Sequence, residues 1–106
     1  MTTTLLARDK YDETVQCLKP GTTQTVAISG TSAAMSNAVA ANTVVIRLVA
    51  TTNCFVKIAA SPTATTADMP LIANVPEYFR IDENQSMKVA GIQMSAAGSL
   101  YITEMS

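Results

Sequence analysis

Histidine and tryptophan are missing from this sequence, and cysteine, glycine and proline are sparse, at two, four and four residues. Without histidine there is no His-based triad, and the commonest transition-metal ligand is gone. Gly21, Gly30, Gly91 and Gly98 stand singly, so no phosphate-cradling loop, dinucleotide fingerprint or nucleophile elbow is present. Cys17 and Cys54 are too few to staple a secreted scaffold and form no CxxC pair. Cys54 lies in an alternating apolar run, where a free thiol packs as a small hydrophobe. Basic residues number seven against eight acidic ones and are scattered, whereas a phosphate backbone needs a concentrated cationic face, so no nucleic-acid partner is expected. No apolar run approaches the roughly 20 residues that span a bilayer. Met1 to Leu6 carries threonines where a secretory signal has a basic stretch. A soluble protein made in the cytosol, with no membrane partner, is expected. The acids Asp68, Asp82, Glu83 and Glu104 are dispersed, and Asp82-Glu83-Asn84 lacks the spacing of a calcium loop. The reading is therefore of a chain with no metal, no cofactor and no enzymatic activity.

What is present is the material of one small β domain. The chain has 106 residues, the size of a single core, and its 48% apolar content is built largely from Ala, Val and Ile. Such a core is thin, and self-association or docking would supplement it. The strongest local signals have period two, the spacing at which strand side chains alternate between faces. In Thr43 to Ala50, Val44, Ile46 and Leu48 share one face and Val45, Arg47 and Val49 the other. After Thr51-Thr52-Asn53, Cys54, Val56 and Ile58 alternate with Phe55, Lys57 and Ala59, and the two runs read as a β-hairpin. Thr23 to Ser29 gives a strand with Val26 and Ile28 inward, punctuated by Pro20-Gly21 and Gly30. Glu77 to Ile81 places Phe79 and Ile81 inward and Tyr78 and Arg80 outward, before a polar turn at Asp82-Glu83-Asn84. From Ser86 to Met94 the inward residues begin as Met87 and Val89 and end as Ile92 and Met94. A β-bulge at Gly91 would produce that slip. Ser95 to Ser99 reads as a hairpin loop around Gly98, leading to a last strand with Leu100 and Ile102.

Ser32 to Asn42 is Ala-rich but lacks large residues at helical spacing, so an irregular or weakly paired extended stretch is expected. Ser61 to Pro70 reads as an exposed loop. A short strand is allowed at Val15 and Cys17, which leaves residues 1–14 as an N-terminal arm and residues 15–106 as the domain. About six or seven short strands without a helix imply an all-β fold, an antiparallel β-sandwich or a jelly-roll-like small barrel. Tyr11, Tyr78 and Tyr101 are the tyrosines, and Phe55, Tyr78 and Tyr101 would line a sugar-stacking platform if their strands were adjacent; ordinary sheet packing explains them more simply.

From Val44 the wording becomes specific. It runs VVIRLVATTNCFVKIAASPTATTADMPLIANVPEYFRI and resumes as KVAGIQMSAAGSLYITEMS. The elements are Arg47 to Thr51 followed by Cys54, a strand leading into Ser61 to Thr65, Pro76-Glu77-Tyr78-Phe79, and Gly98 to Thr103. This resembles a group of short proteins encoded by tailed bacteriophages near their virion structural genes. It departs from the group's pattern at Ile58-Ala59-Ala60, where a glycine is usual. The resemblance implies a virion protein with a sandwich or jelly-roll-like body that decorates or cements the capsid shell. Its partners would be the major capsid protein or a neighbouring virion protein, together with copies of itself. Residues 1–14 and Ser61 to Pro70 would be the contact regions. A tail, fibre or head-to-tail joining component is the alternative, as is a carbohydrate- or receptor-binding module. The resemblance brings no catalytic residues.

Overall fold

In the computed structural model the described residues are Ala7–Arg8, Thr14–Val15 and 18–105. Strands β1 (Ala7–Arg8) and β2 (Thr14–Val15) pair with each other in a short antiparallel ladder. Tyr11, Cys17 and most of the expected arm lie outside the described residues. The body consists of β3 (Pro20–Ile28), β4 (Ala33–Ala34), β5 (Val45–Ala50), β6 (Cys54–Ala59), β7 (Met69–Leu71), β8 (Glu77–Arg80), β9 (Lys88–Gln93) and β10 (Gly98–Met105). These eight strands form two antiparallel four-stranded sheets, ordered β3-β10-β5-β8 and β4-β9-β6-β7.

The pairing is nested. β3 pairs with β10, β4 with β9, β5 with β8 and β6 with β7, as if one long hairpin of doubled strands had been rolled up. Two further ladders, β10 with β5 and β9 with β6, complete the sheets. This is the jelly roll, the double-sheet solution that leaves few open strand edges.

Alternation along the strands builds the core. β5 buries Ile46, Leu48 and Ala50 while Val45, Arg47 and Val49 stay half-buried on the outer face. Val26 and Ile28 of β3, Leu100 and Ile102 of β10, Cys54 and Val56 of β6, Leu71 of β7 and Val89 of β9 complete the interior. Each fully buried Leu or Ile contributes about 1.5–3 kcal/mol. β8 follows its expected faces, with Ile81 buried beyond its end and Tyr78 and Arg80 exposed. Asn84, in the turn after it, takes a positive φ of 61°. The Ala-rich stretch is irregular as expected. It is held by Met35 N–H to the Val89 carbonyl at 3.0 Å and Val39 N–H to the Met87 carbonyl at 2.9 Å, with both side chains buried.

Four expectations are corrected. First, Thr43 to Ala59 is not a hairpin, because β5 and β6 belong to different sheets and Thr51-Thr52-Asn53 is the corner between them. Period-two alternation records only that Ala50 and Cys54 point into one core, which is equally true of facing sheets. Second, the Ser95 to Ser99 segment likewise crosses from β9 to β10 in the opposite sheet. The two crossings are laced together: Thr51 N–H donates to the Ser99 carbonyl and Ser99 N–H to Thr51 Oγ1, each at 2.9 Å. Gly98 is required there by close approach, since a Cβ would overlap the Thr52 hydroxyl and lie 2.7 Å from Thr51 Oγ1.

Third, there is no bulge at Gly91. The β6–β9 register runs unbroken from Cys54↔Gln93 to Ala59↔Lys88, so Val89, Gly91 and Gln93 face inward and Ile92 and Met94 outward. Gly91 holds an inward position without a side chain because Leu100 fills it from the facing sheet, 3.3 Å from where a Cβ would sit. Fourth, Met69 and Pro70 belong to β7, an edge strand, where a proline leaves no ladder donor unmade on its free side. Pro20 and Gly21 similarly begin β3 rather than precede it.

Substituting Gly91→Val is expected to destabilise the fold by about 1–3 kcal/mol through overpacking. Adding Leu100→Ala should make the double variant less destabilised than the sum of the two single changes. Urea unfolding of the four proteins reads this directly; additive losses would place Gly91 away from Leu100. Gly98→Ala should cost a similar amount, about 1–3 kcal/mol, measured the same way.

Candidate interaction surfaces

The outer face of the first sheet is set by register. Tyr78, Arg47, Thr103 and Thr23 form one row across β8, β5, β10 and β3, and Val49, Tyr101 and Thr25 form the next. The Thr23 and Thr103 hydroxyls meet at 2.9 Å. Tyr78 is 55% exposed and Tyr101 38%, so two aromatic rings flank the half-buried Arg47 on one face of the sheet. Tyrosine and arginine are the side chains that anchor protein interfaces, because each offers a large planar contact area with a polar tip. Arg80 and Val45 continue the face in the following row. The condition for a three-ring platform is not met: Phe55 faces outward from β6 in the second sheet, on the opposite side of the sandwich.

The second sheet presents Pro70, Phe55 and Ile92 in one outward row and Lys57, Ala90 and Ala34 in another. The segment from Ala60 to Asp68 is not a free loop. Ala64 is 2% exposed and its N–H donates to Ser32 Oγ at 2.8 Å, on the far side of β9, before the chain returns to Met69 opposite Val56. Tied at both places, the segment forms a strap between the two edges of the second sheet, and the outward Ala90 between those edges is fully buried. The strap carries its own turn. Asp68 Oδ2 accepts from Thr65 N–H at 2.7 Å and from the Thr65 hydroxyl at 3.2 Å, and Asp68 N–H returns a bond to the Thr65 carbonyl at 3.0 Å. Its exposed residues are Ala60, Ser61, Thr63, Thr65, Thr66 and Ala67.

Two of the acids are tied to separate structural tasks. Glu104 Oε1 accepts from Ala40 N–H at 3.0 Å and from the Thr43 hydroxyl, fastening the turn before β5 to the end of β10. Asp68 closes its turn, and Asp82 and Glu83 sit in the β8–β9 connection. Among the described residues no three of His, Cys, Asp and Glu gather around one point. Cys54 is fully buried and unpaired, and burial pushes its thiol pKa above the ordinary value. No helix among the described residues is long and apolar enough to cross a membrane.

Sequence reasoning found the outward Tyr78 and Arg47 strand by strand but not their neighbourhood, which depends on β8 pairing with β5. It missed the strap altogether, because Ala64 has no partner within its own segment. Comparison with known proteins gives no matching family model, no similar curated protein and no similar solved structure.

Cys54 is expected to resist alkylation in the folded state and to react once the chain is unfolded, read by peptide-resolved mass spectrometry; rapid native labelling would show it to be accessible. Because its thiol ionises at lower pH in the unfolded chain than in the fold, stability should fall as pH rises through the unfolded thiol's range, about pH 8.5 and above. Cys54→Ala should remove that part of the alkaline loss and leave the neutral-pH slope unchanged.

Proposed function

We propose that this chain is a structural virion protein of a tailed bacteriophage. In this reading it is made in the host bacterial cytoplasm and serves as a capsid decoration protein, a self-associating subunit seated on the major capsid protein. The observation that carries the reading is where the phage-like segments fall. Arg47 to Cys54 is the end of β5 with the corner into β6, Ser61 to Thr65 is part of the strap on the second sheet, Pro76 to Phe79 is the entry and most of edge strand β8, and Gly98 to Thr103 is central in the first sheet. These segments include strands of the first sheet, the corner between β5 and β6 and the strap tied to the second sheet, so the reading rests on stretches distributed through the fold. Jelly rolls recur in viral capsid and lectin domains, and fold alone leaves function open. The outer faces supply what a decoration subunit uses, with exposed Tyr78 and Tyr101 around Arg47 on one side and the hydroxyl-rich strap on the other.

A second reading, a carbohydrate- or receptor-binding module of a tail or fibre, draws on the same Tyr78, Arg47 and Tyr101 face, since exposed rings stack on sugars. The separation of Phe55 from that face leaves it smaller than the three-ring platform would be.

A reconstruction of the phage particle that encodes this chain decides between them. Density for the jelly roll distributed over the shell, with a copy number matching the capsid lattice, is the expected result; density confined to the tail or its fibres would overturn the decoration role. Glycan-array binding by a multivalent form of the protein would support the second reading.

A further inference from the structure

The four sheet edges differ sharply. β4 has two residues, β7 has three including Pro70, and β8 has four, between Pro76 and the Asp82 turn. Short strands, proline and charge are the devices that keep edges from pairing with other chains. β3 has none of them beyond its first residue. It runs nine residues, Pro20–Ile28, with no charged side chain, and its pattern leaves Gly21, Thr22, Thr23, Thr25 and Ala27 exposed. Among the described residues its only ladder is to β10.

We infer that the β3 edge is the self-association surface of this protein, pairing antiparallel with β3 of a second copy about a twofold axis to form one continuous eight-stranded sheet. The inference rests on the reading of the chain as an assembly subunit and names the contact. Three observations select a second copy as the occupant. A twofold antiparallel pair sets each position opposite one of the same parity, so outward Thr23, Thr25 and Ala27 face outward residues and the core side faces the core side. The strand carries no charge, so identical copies meet without repulsion, and threonine pairs across strands are favourable. The broad faces lack this property. The charged residues at ladder positions on their outward sides are Arg47 and Arg80 on one and Lys57 and Lys88 on the other, so stacking either face on its own copy brings like charges together. Closure is built in, because the far edge of the joined sheet is the short β8 in both copies.

The test is sedimentation equilibrium of the full chain over a wide concentration range, with the double variant Thr23→Lys/Thr25→Lys and, as a control on the opposite edge, Arg80→Glu. Both sites are exposed, and unchanged thermal melts would confirm that the variants fold. The wild type and Arg80→Glu should dimerise alike, and the lysine pair should weaken dimerisation by about tenfold or more. A wild type that stays monomeric at every concentration, or a dimer that the lysines leave unchanged, would overturn the inference. Either failure would leave the capsid location to be judged separately by the particle reconstruction.

Discussion

Face-to-face burial of aliphatic side chains between the two sheets is the constraint on which the rest of the molecule depends. Ile28, Leu48, Leu100 and Ile102 from one layer meet Val56, Leu71, Val89 and Cys54 from the other, and none of them reaches solvent appreciably. With no tryptophan and few aromatic rings, the interior is filled by branched aliphatics and by close approach. Gly91 yields its place to Leu100, and Gly98 lets the two corner segments touch. A core this thin tolerates little rearrangement, because interiors are packed to crystal-like density.

That packing frees the outside for other work. Where strands such as β5 and β6 send alternate residues inward, the outward positions are free of the demands of the core. On the first sheet these are two tyrosines around an arginine; on the second, a strap pinned by Ala64 to Ser32 replaces part of the sheet's own surface with hydroxyl-bearing residues. Glu104 and Asp68 serve the scaffold through hydrogen bonds to Ala40, Thr43 and Thr65. These two acids are thus occupied in holding loops, and the proposed role is one of contact.

Much of the fold was legible along the chain. The faces of β5, β6 and β8, the inward Val26 and Ile28, the polar turn at Asp82-Glu83-Asn84 and the non-helical Ala-rich stretch all follow from period-two alternation and turn chemistry. The bulge assigned to Gly91 came from the assumption that Ile92 and Met94 must be buried. Unbroken pairing with β6 turns both outward, and a side chain from the other sheet compensates. Of the candidate surfaces, the outward direction of Tyr78 and Tyr101 was readable, while their common face around Arg47 was not.

Residue order alone determined which side of each strand is buried, since that depends on neighbours two positions apart and on the exclusion of water from apolar groups. It determined too that no histidine-based chemistry is available. The tertiary structure decided which strands share a sheet. Thr51-Thr52-Asn53 serves equally as a hairpin turn or as a corner, because either path delivers Ala50 and Cys54 to the same interior. The choice falls to long-range ladders, β10 beside β5 and β9 beside β6, whose partners lie far apart in the chain and leave no local signature.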